Sequence, residues 1–124
     1  MSERRSRGNG LRAAAAPLPA ALFLASFCWV GVARGADDAD QLALGKALFT
    51  NKATPPCALC HTLKDAGTAG AVGPILDELQ PDAARVATAL RNGIGAMPSY
   101  KALLKEEQIQ ALARYVAKAS GGAP

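Results

Sequence analysis

The chain has 124 residues, half of them hydrophobic but only 5% aromatic, with 14 basic residues against 10 acidic ones and a net charge of +4. Arg4, Arg5, Arg7, Arg12 and Arg34 precede residue 36 with one acid, Glu3, so the whole excess lies there and the other 89 residues balance at nine basic and nine acidic. A near-neutral remainder of that length excludes the basic face of a nucleic-acid binder and allows one domain.

After the arginines, residues 13–33 are uncharged, and Ala33-Arg34-Gly35 sets small residues at the −3 and −1 positions of a cleavage site. That order is a secretory signal, so residues 1–35 are expected to be a signal peptide and residues 36–124 an exported, periplasmic domain. The uncharged run could also span a bilayer, and a leader left uncleaved would anchor the chain. Pro17 and Pro19 shorten its clean apolar part, which favours cleavage.

The domain that remains holds two cysteines, Cys57 and Cys60, one histidine, His61, and three aromatics, Phe49, Tyr100 and Tyr115. Domains this small need a staple, and two cysteines three apart close too small a loop to serve as one. A large apolar cofactor would complete the core.

In chain order, the pattern predicts a first helix over Asp40–Thr50, with Leu42, Gly45 and Phe49 on one face and Asp37, Asp38 and Asp40 at its positive end. Pro55-Pro56 stops it, and Cys57–Lys64 reads as the start of a short second helix. Asp65–Pro74, with three glycines and a proline, reads as a loop. Pro81-Asp82 opens a third helix carrying Val86 and Leu90 and ending at Asn92-Gly93. Gly93–Ser99 is a second loop, and a last helix from about Lys105 stacks Ile109, Leu112 and Val116 until Ser120-Gly121-Gly122. No alternating run of strand length occurs, so the fold class is all-α.

Cys57-Ala58-Leu59-Cys60-His61 is the C-x-x-C-H signature of c-type haem attachment. Residues three apart on a helical turn face the same way, so both sulfurs can reach the two vinyl-bearing edges of one porphyrin, and the next residue can place an imidazole under the iron. Zinc is a poorer reading, since it favours four cysteine or histidine ligands and the domain offers three. A thiol-disulfide oxidoreductase would place C-x-x-C beside a strand-helix-strand pattern that is missing here.

The sixth iron position must be filled by a methionine or a lysine, or stay open. Met97 is the one methionine after the leader, and it sits in a Gly93/Gly95 loop with Pro98 behind it. Methionines commonly just fill gaps in a core. On a loop, and without a rival soft donor, Met97 is expected to be an iron ligand together with His61. Arg85, Arg91 and Tyr100 are candidates by residue type for the propionates.

Cys57-Ala-Leu-Cys-His61, Gly73-Pro74-Ile-Leu76, Gly95-Ala-Met97-Pro98 and Ala113-Arg-Tyr115-Val116, in that order, resemble a class I cytochrome c over the whole domain. The resemblance implies a single covalently bound haem c wrapped by helices, and a first helix that crosses the last one closely at Gly45. It also implies that the Pro74 carbonyl accepts the His61 Nδ1 proton. It further implies a carrier of single electrons rather than an enzyme, with no catalytic residue. The runs His61-Thr-Leu-Lys-Asp-Ala-Gly67, Gly70-Ala-Val-Gly-Pro74 and Arg91-Asn-Gly-Ile-Gly-Ala-Met-Pro98 are similar to the small cytochrome subunit of bacterial sulfite dehydrogenases. That similarity implies a molybdenum subunit as electron donor and a downstream cytochrome or oxidase as acceptor. The alternative function is a haem peroxidase or gas-binding protein with an open sixth position, against which no second histidine or acid-base pair lies near the motif. Ala58, Leu59, Ala71, Val72 and Pro98 are expected to form an uncharged docking rim, with Lys64 and Lys101 at its margin.

Overall fold

The computed structural model describes residues 31–124. The proposed leader lies outside them up to residue 30. Among the described residues no helix is long and apolar enough to cross a membrane. The elements are helices α1 (Gly31–Ala47), α2 (Leu76–Leu79), α3 (Ala83–Asn92) and α4 (Glu106–Ser120), with two short strands, β1 (Thr62–Leu63) and β2 (Thr68–Ala69).

Helix α1 starts earlier than its apolar pattern suggests. Its residues 35–40 are exposed, so packing does not hold them and no apolar pattern marks them, and the three aspartates lie inside the helix instead of at its positive end. Burial begins at Gly45. The helix then widens into one π turn, Leu48–Lys52, which lets the consecutive residues Leu48 and Phe49 both enter the core. At Gly45 a side chain would overlap the Ala111 carbonyl and the Tyr115 Cβ of α4, so the missing Cβ is what lets α1 and α4 cross. One turn on, the rings of Phe49 and Tyr115 meet edge to face with centroids 6.1 Å apart.

Helix α3 is capped as its sequence suggests, with the Asp82 carboxylate accepting from the Arg85 amide at 2.7 Å. In α4 the Lys105 amide donates to the Gln108 side chain at 2.9 Å, and Gly121 at φ 84° ends the helix. Ile109, Leu112 and Val116 are buried with Leu90 of α3 and Leu63 of β1, so the core sits where α1, α3 and β1 meet α4.

Two local expectations are corrected. Cys57–Lys64 does not open a helix: Cys57–Leu59 makes a single 3-10 turn and the chain then enters β1. The glycine-rich loop contains β2, which pairs antiparallel with β1, Thr62 opposite Ala69 and Leu63 opposite Thr68. Strands of two residues are too short to show alternation, and threonine hydroxyls hold them: Thr62 Oγ1 donates to the Gly70 carbonyl and Thr68 Oγ1 to the His61 carbonyl, both at 3.0 Å. Helix α2 is also unannounced in the sequence. Its Asp77 carboxylate accepts from the Lys64 amide at 2.9 Å and fixes it to the hairpin.

Asp65, in the hairpin turn, ties that hairpin to the crossing helices. Its carboxylate accepts from the Tyr115 hydroxyl at 2.7 Å and from Lys46 Nζ at 3.1 Å. These two bonds, the tyrosine's first, hold its carboxyl below the usual carboxylate range, while burial and then the same bond push the Tyr115 hydroxyl up. A depressed acid contributes stability above its unfolded pKa, about 3.9, and that stability is lost as pH falls through the lower folded value. Asp65→Asn should therefore destabilise the holoprotein at pH 7, by no more than about 1 kcal/mol at this half-exposed site, and the difference should shrink as pH falls below about 3.9 and vanish below the lower folded value. Melting curves of both proteins from pH 7 to pH 2.5 check it.

Candidate functional site

Pro55-Pro56 delivers an extended chain into the 3-10 turn at Cys57. The Cys60 and His61 amides both donate to the Cys57 carbonyl, at 3.1 and 3.0 Å, which closes the turn and gathers Cys57, Cys60 and His61 on one cleft. Cys57 and Cys60 form no disulfide with each other. Cys57 is 8% exposed, and burial pushes its thiol up to about 11. A disulfide-exchange cysteine needs the opposite shift, because its thiolate is the nucleophile.

The imidazole of His61 is held from behind. Its Nδ1 lies 3.0 Å from the Pro74 carbonyl, the one acceptor there, so Nδ1 carries the proton and Nε2 is left as a donor atom for a metal. Gly73 makes the bond possible, since a Cβ there would lie 2.5 Å from His61 Cε1 and 2.8 Å from Nδ1. The Gly73 amide in turn donates to the Cys60 carbonyl at 2.8 Å. The glycine before Pro74 is thus a packing requirement of the histidine.

Met97 reaches the same cleft from the loop after α3. Ile94 and Met97 exchange two backbone bonds, at 3.1 and 2.9 Å, around Gly95-Ala96, and this tight turn points the loop into the cleft. The cleft has a volume of about 400 Å³ and opens onto the core residues Phe49, Leu90, Leu112 and Val116. Among the described residues, Arg85 is the single charged side chain on its lining. The other two propionate candidates are engaged elsewhere. Arg91 pairs with Glu106, holding that carboxyl down at about 2, and does not line the cleft. Tyr100 lines it but gives its hydroxyl to the Pro55 carbonyl at 2.7 Å, and burial raises that hydroxyl to about 12.

Two thiols, an imidazole that presents Nε2 and a thioether around one apolar cavity fit the donor types that a covalently attached haem needs. Among the described residues no group of three or more His, Cys, Asp and Glu could hold a protein-bound metal ion, so the donors do not suit a four-coordinate zinc site.

The comparisons agree. The family model described as cytochrome C oxidase, cbb3-type, subunit III matches residues 40–116. The chain belongs to the c-type cytochrome family. Among solved structures, the c-type cytochrome SorU from Sinorhizobium meliloti is 54% identical, with a TM-score of 0.64 over 68% of this chain and 97% of that one. No curated protein matches it. This cytochrome is therefore a single-domain, mostly helical electron-transfer protein with covalently bound haem c, and it works with redox partner proteins.

Around the cleft the surface is apolar. Val72 and Pro98, expected at the rim, line the cleft and are exposed, Val72 at 73%, whereas Leu59 and Ala71 are exposed and Ala58 is half-buried without lining it. Sequence reasoning missed Ile94, which lines the cleft while 66% exposed. The available signal was an isoleucine between Gly93 and Gly95, with no helix face to join. Lys64 and Lys101 are exposed but do not line the cleft.

Proposed function

We propose that this cytochrome is a periplasmic carrier of single electrons whose haem is attached through Cys57 and Cys60, with His61 and Met97 as axial ligands. The observation that carries the reading is the convergence of these four side chains, from two separate loops, on one apolar cleft. When bound, the haem supplies a one-electron iron couple, and a neutral imidazole with a thioether favours its reduced form. The Pro74 carbonyl keeps His61 in the tautomer that presents Nε2 and raises its basicity. Met97 in the sixth position would deny oxygen and peroxide a site. Arg85 would face a propionate. The exposed Val72 and Ile94 on the cleft lining would keep water from its mouth when a redox partner docks there.

Cleavage after Gly35 would leave residues 36–124 as the exported domain. The donor we propose is the molybdenum subunit of a sulfite dehydrogenase, with a cytochrome or oxidase downstream. This rests on the runs after His61, Gly70 and Arg91, and 54% identity to another c-type cytochrome supports the general role.

The test is made on protein exported by its natural host. Intact mass should equal residues 36–124 plus one haem, and the reduced protein should bind carbon monoxide only slowly. Mixing with a purified sulfite-oxidising molybdenum subunit and sulfite should reduce it. Rapid carbon monoxide binding would favour an open sixth position, and a mass retaining the uncharged run would make the protein membrane-anchored.

A further inference from the structure

Tyr100 is 3% exposed and has a bond that electron transfer by itself does not call for. Its hydroxyl reaches across 45 residues of sequence to the Pro55 carbonyl, two residues before Cys57, at 2.7 Å. Its amide donates to the Leu90 carbonyl of α3, also at 2.7 Å, so the ring is fixed at both ends. Neighbouring Ser99 is tied through Oγ to the Arg91 carbonyl. The Met97 turn just before it is closed on itself by the Ile94 pair. Among the described residues, the Tyr100 hydroxyl makes the one hydrogen bond that joins the Met97 loop, 93–100, to the attachment segment, 53–61. Without it, the two segments that carry the proposed haem-binding residues would be joined in that region by apolar contact alone.

We propose that Tyr100 is a positioning residue for Met97: its hydroxyl clasps the methionine loop to the cysteine segment and thereby holds the thioether in the sixth position. The inference rests on the reading of Met97 as an iron ligand. A clasp of one hydrogen bond sets how often the loop lifts, and an added ligand can enter only when it lifts. Phenylalanine keeps the ring's packing and removes the bond, so it isolates the clasp from the core.

The experiment titrates imidazole into the ferric holoproteins of the unmodified chain, Tyr100→Phe, Met97→Ala and Asp65→Asn. Tyr100→Phe should keep its haem and bind imidazole about five- to tenfold more tightly than the unmodified protein, the effect expected from losing one hydrogen bond of ordinary strength. Its reduction potential should fall as the thioether loosens. Asp65→Asn is the control, because it weakens the fold at a bond outside the cleft and should leave imidazole affinity unchanged. If Tyr100→Phe melts earlier but binds imidazole as the unmodified protein does, Tyr100 serves packing only and the proposal is overturned. If the unmodified protein already binds imidazole as tightly as Met97→Ala, the reading of Met97 fails, and the clasp with it. Should Tyr100→Phe yield no holoprotein, amide hydrogen exchange on the unmodified protein decides. Imidazole should deprotect the amides of Met97 and Tyr100 together, and an unchanged Tyr100 amide would overturn the clasp.

Discussion

Replacing Cys57 and Cys60 together by alanine should leave a chain without helical circular dichroism or a cooperative melt. The cleft is not a dent on a finished core, because Phe49, Leu90, Leu112 and Val116 form both its wall and the centre of the molecule. At about 24 cal/mol per Å³, leaving its 400 Å³ unfilled would cost up to about 10 kcal/mol, a ceiling because part of the space is open to water. A domain of this size has roughly 5–15 kcal/mol in total. The rest of the molecule offers little in compensation, since its ion pairs, Lys46–Asp65, Arg91–Glu106 and Lys118–Asp38, are largely exposed and contribute weakly. Circular dichroism of the double variant, purified under conditions that yield the holoprotein of the parent, checks it. Recovery of a stable helical apoprotein would mean that α1, α3 and α4 suffice without the cofactor.

Met97→Ala should keep the haem and lose its carrier character. The thioether bonds proposed at Cys57 and Cys60, and the proposed His61 ligand, lie outside the 93–100 loop, so attachment should survive. The weak far-red absorption of a sulfur-ligated ferric haem should disappear, the reduction potential should fall, and the reduced protein should bind carbon monoxide rapidly. No second histidine or methionine follows the leader to replace it. A lysine would have to give up its proton against a normal pKa of about 10.4, so at neutral pH the position is left to water or added ligand. Spectra of both oxidation states with and without carbon monoxide give the result. A variant indistinguishable from its parent would make Met97 a gap-filler of the core and move the open-site reading ahead of electron transfer.

The sequence by itself determined the chemistry and the long helices. Cys57, Cys60 and His61 are adjacent, so a local turn alone brings them together, and a five-residue pattern can state it. The spacing of Val86 and Leu90, and of Ile109, Leu112 and Val116, likewise reports helices that bury one face, with Asp82 and Gly121 marking ends by local backbone chemistry. Tertiary structure decided what depends on partners far along the chain. The β1–β2 hairpin and α2 are held by Thr62, Thr68 and Asp77 side chains bonded to backbone outside their own elements, and a window of sequence contains no trace of such bonds. The start of α1 was misplaced because its residues 35–40 are exposed and so carry no periodicity. Among Arg85, Arg91 and Tyr100, residue type could not choose. Glu106 engages Arg91, and Pro55, 45 residues away, engages the Tyr100 hydroxyl, so among the described residues Arg85 is the one charged candidate on the cleft.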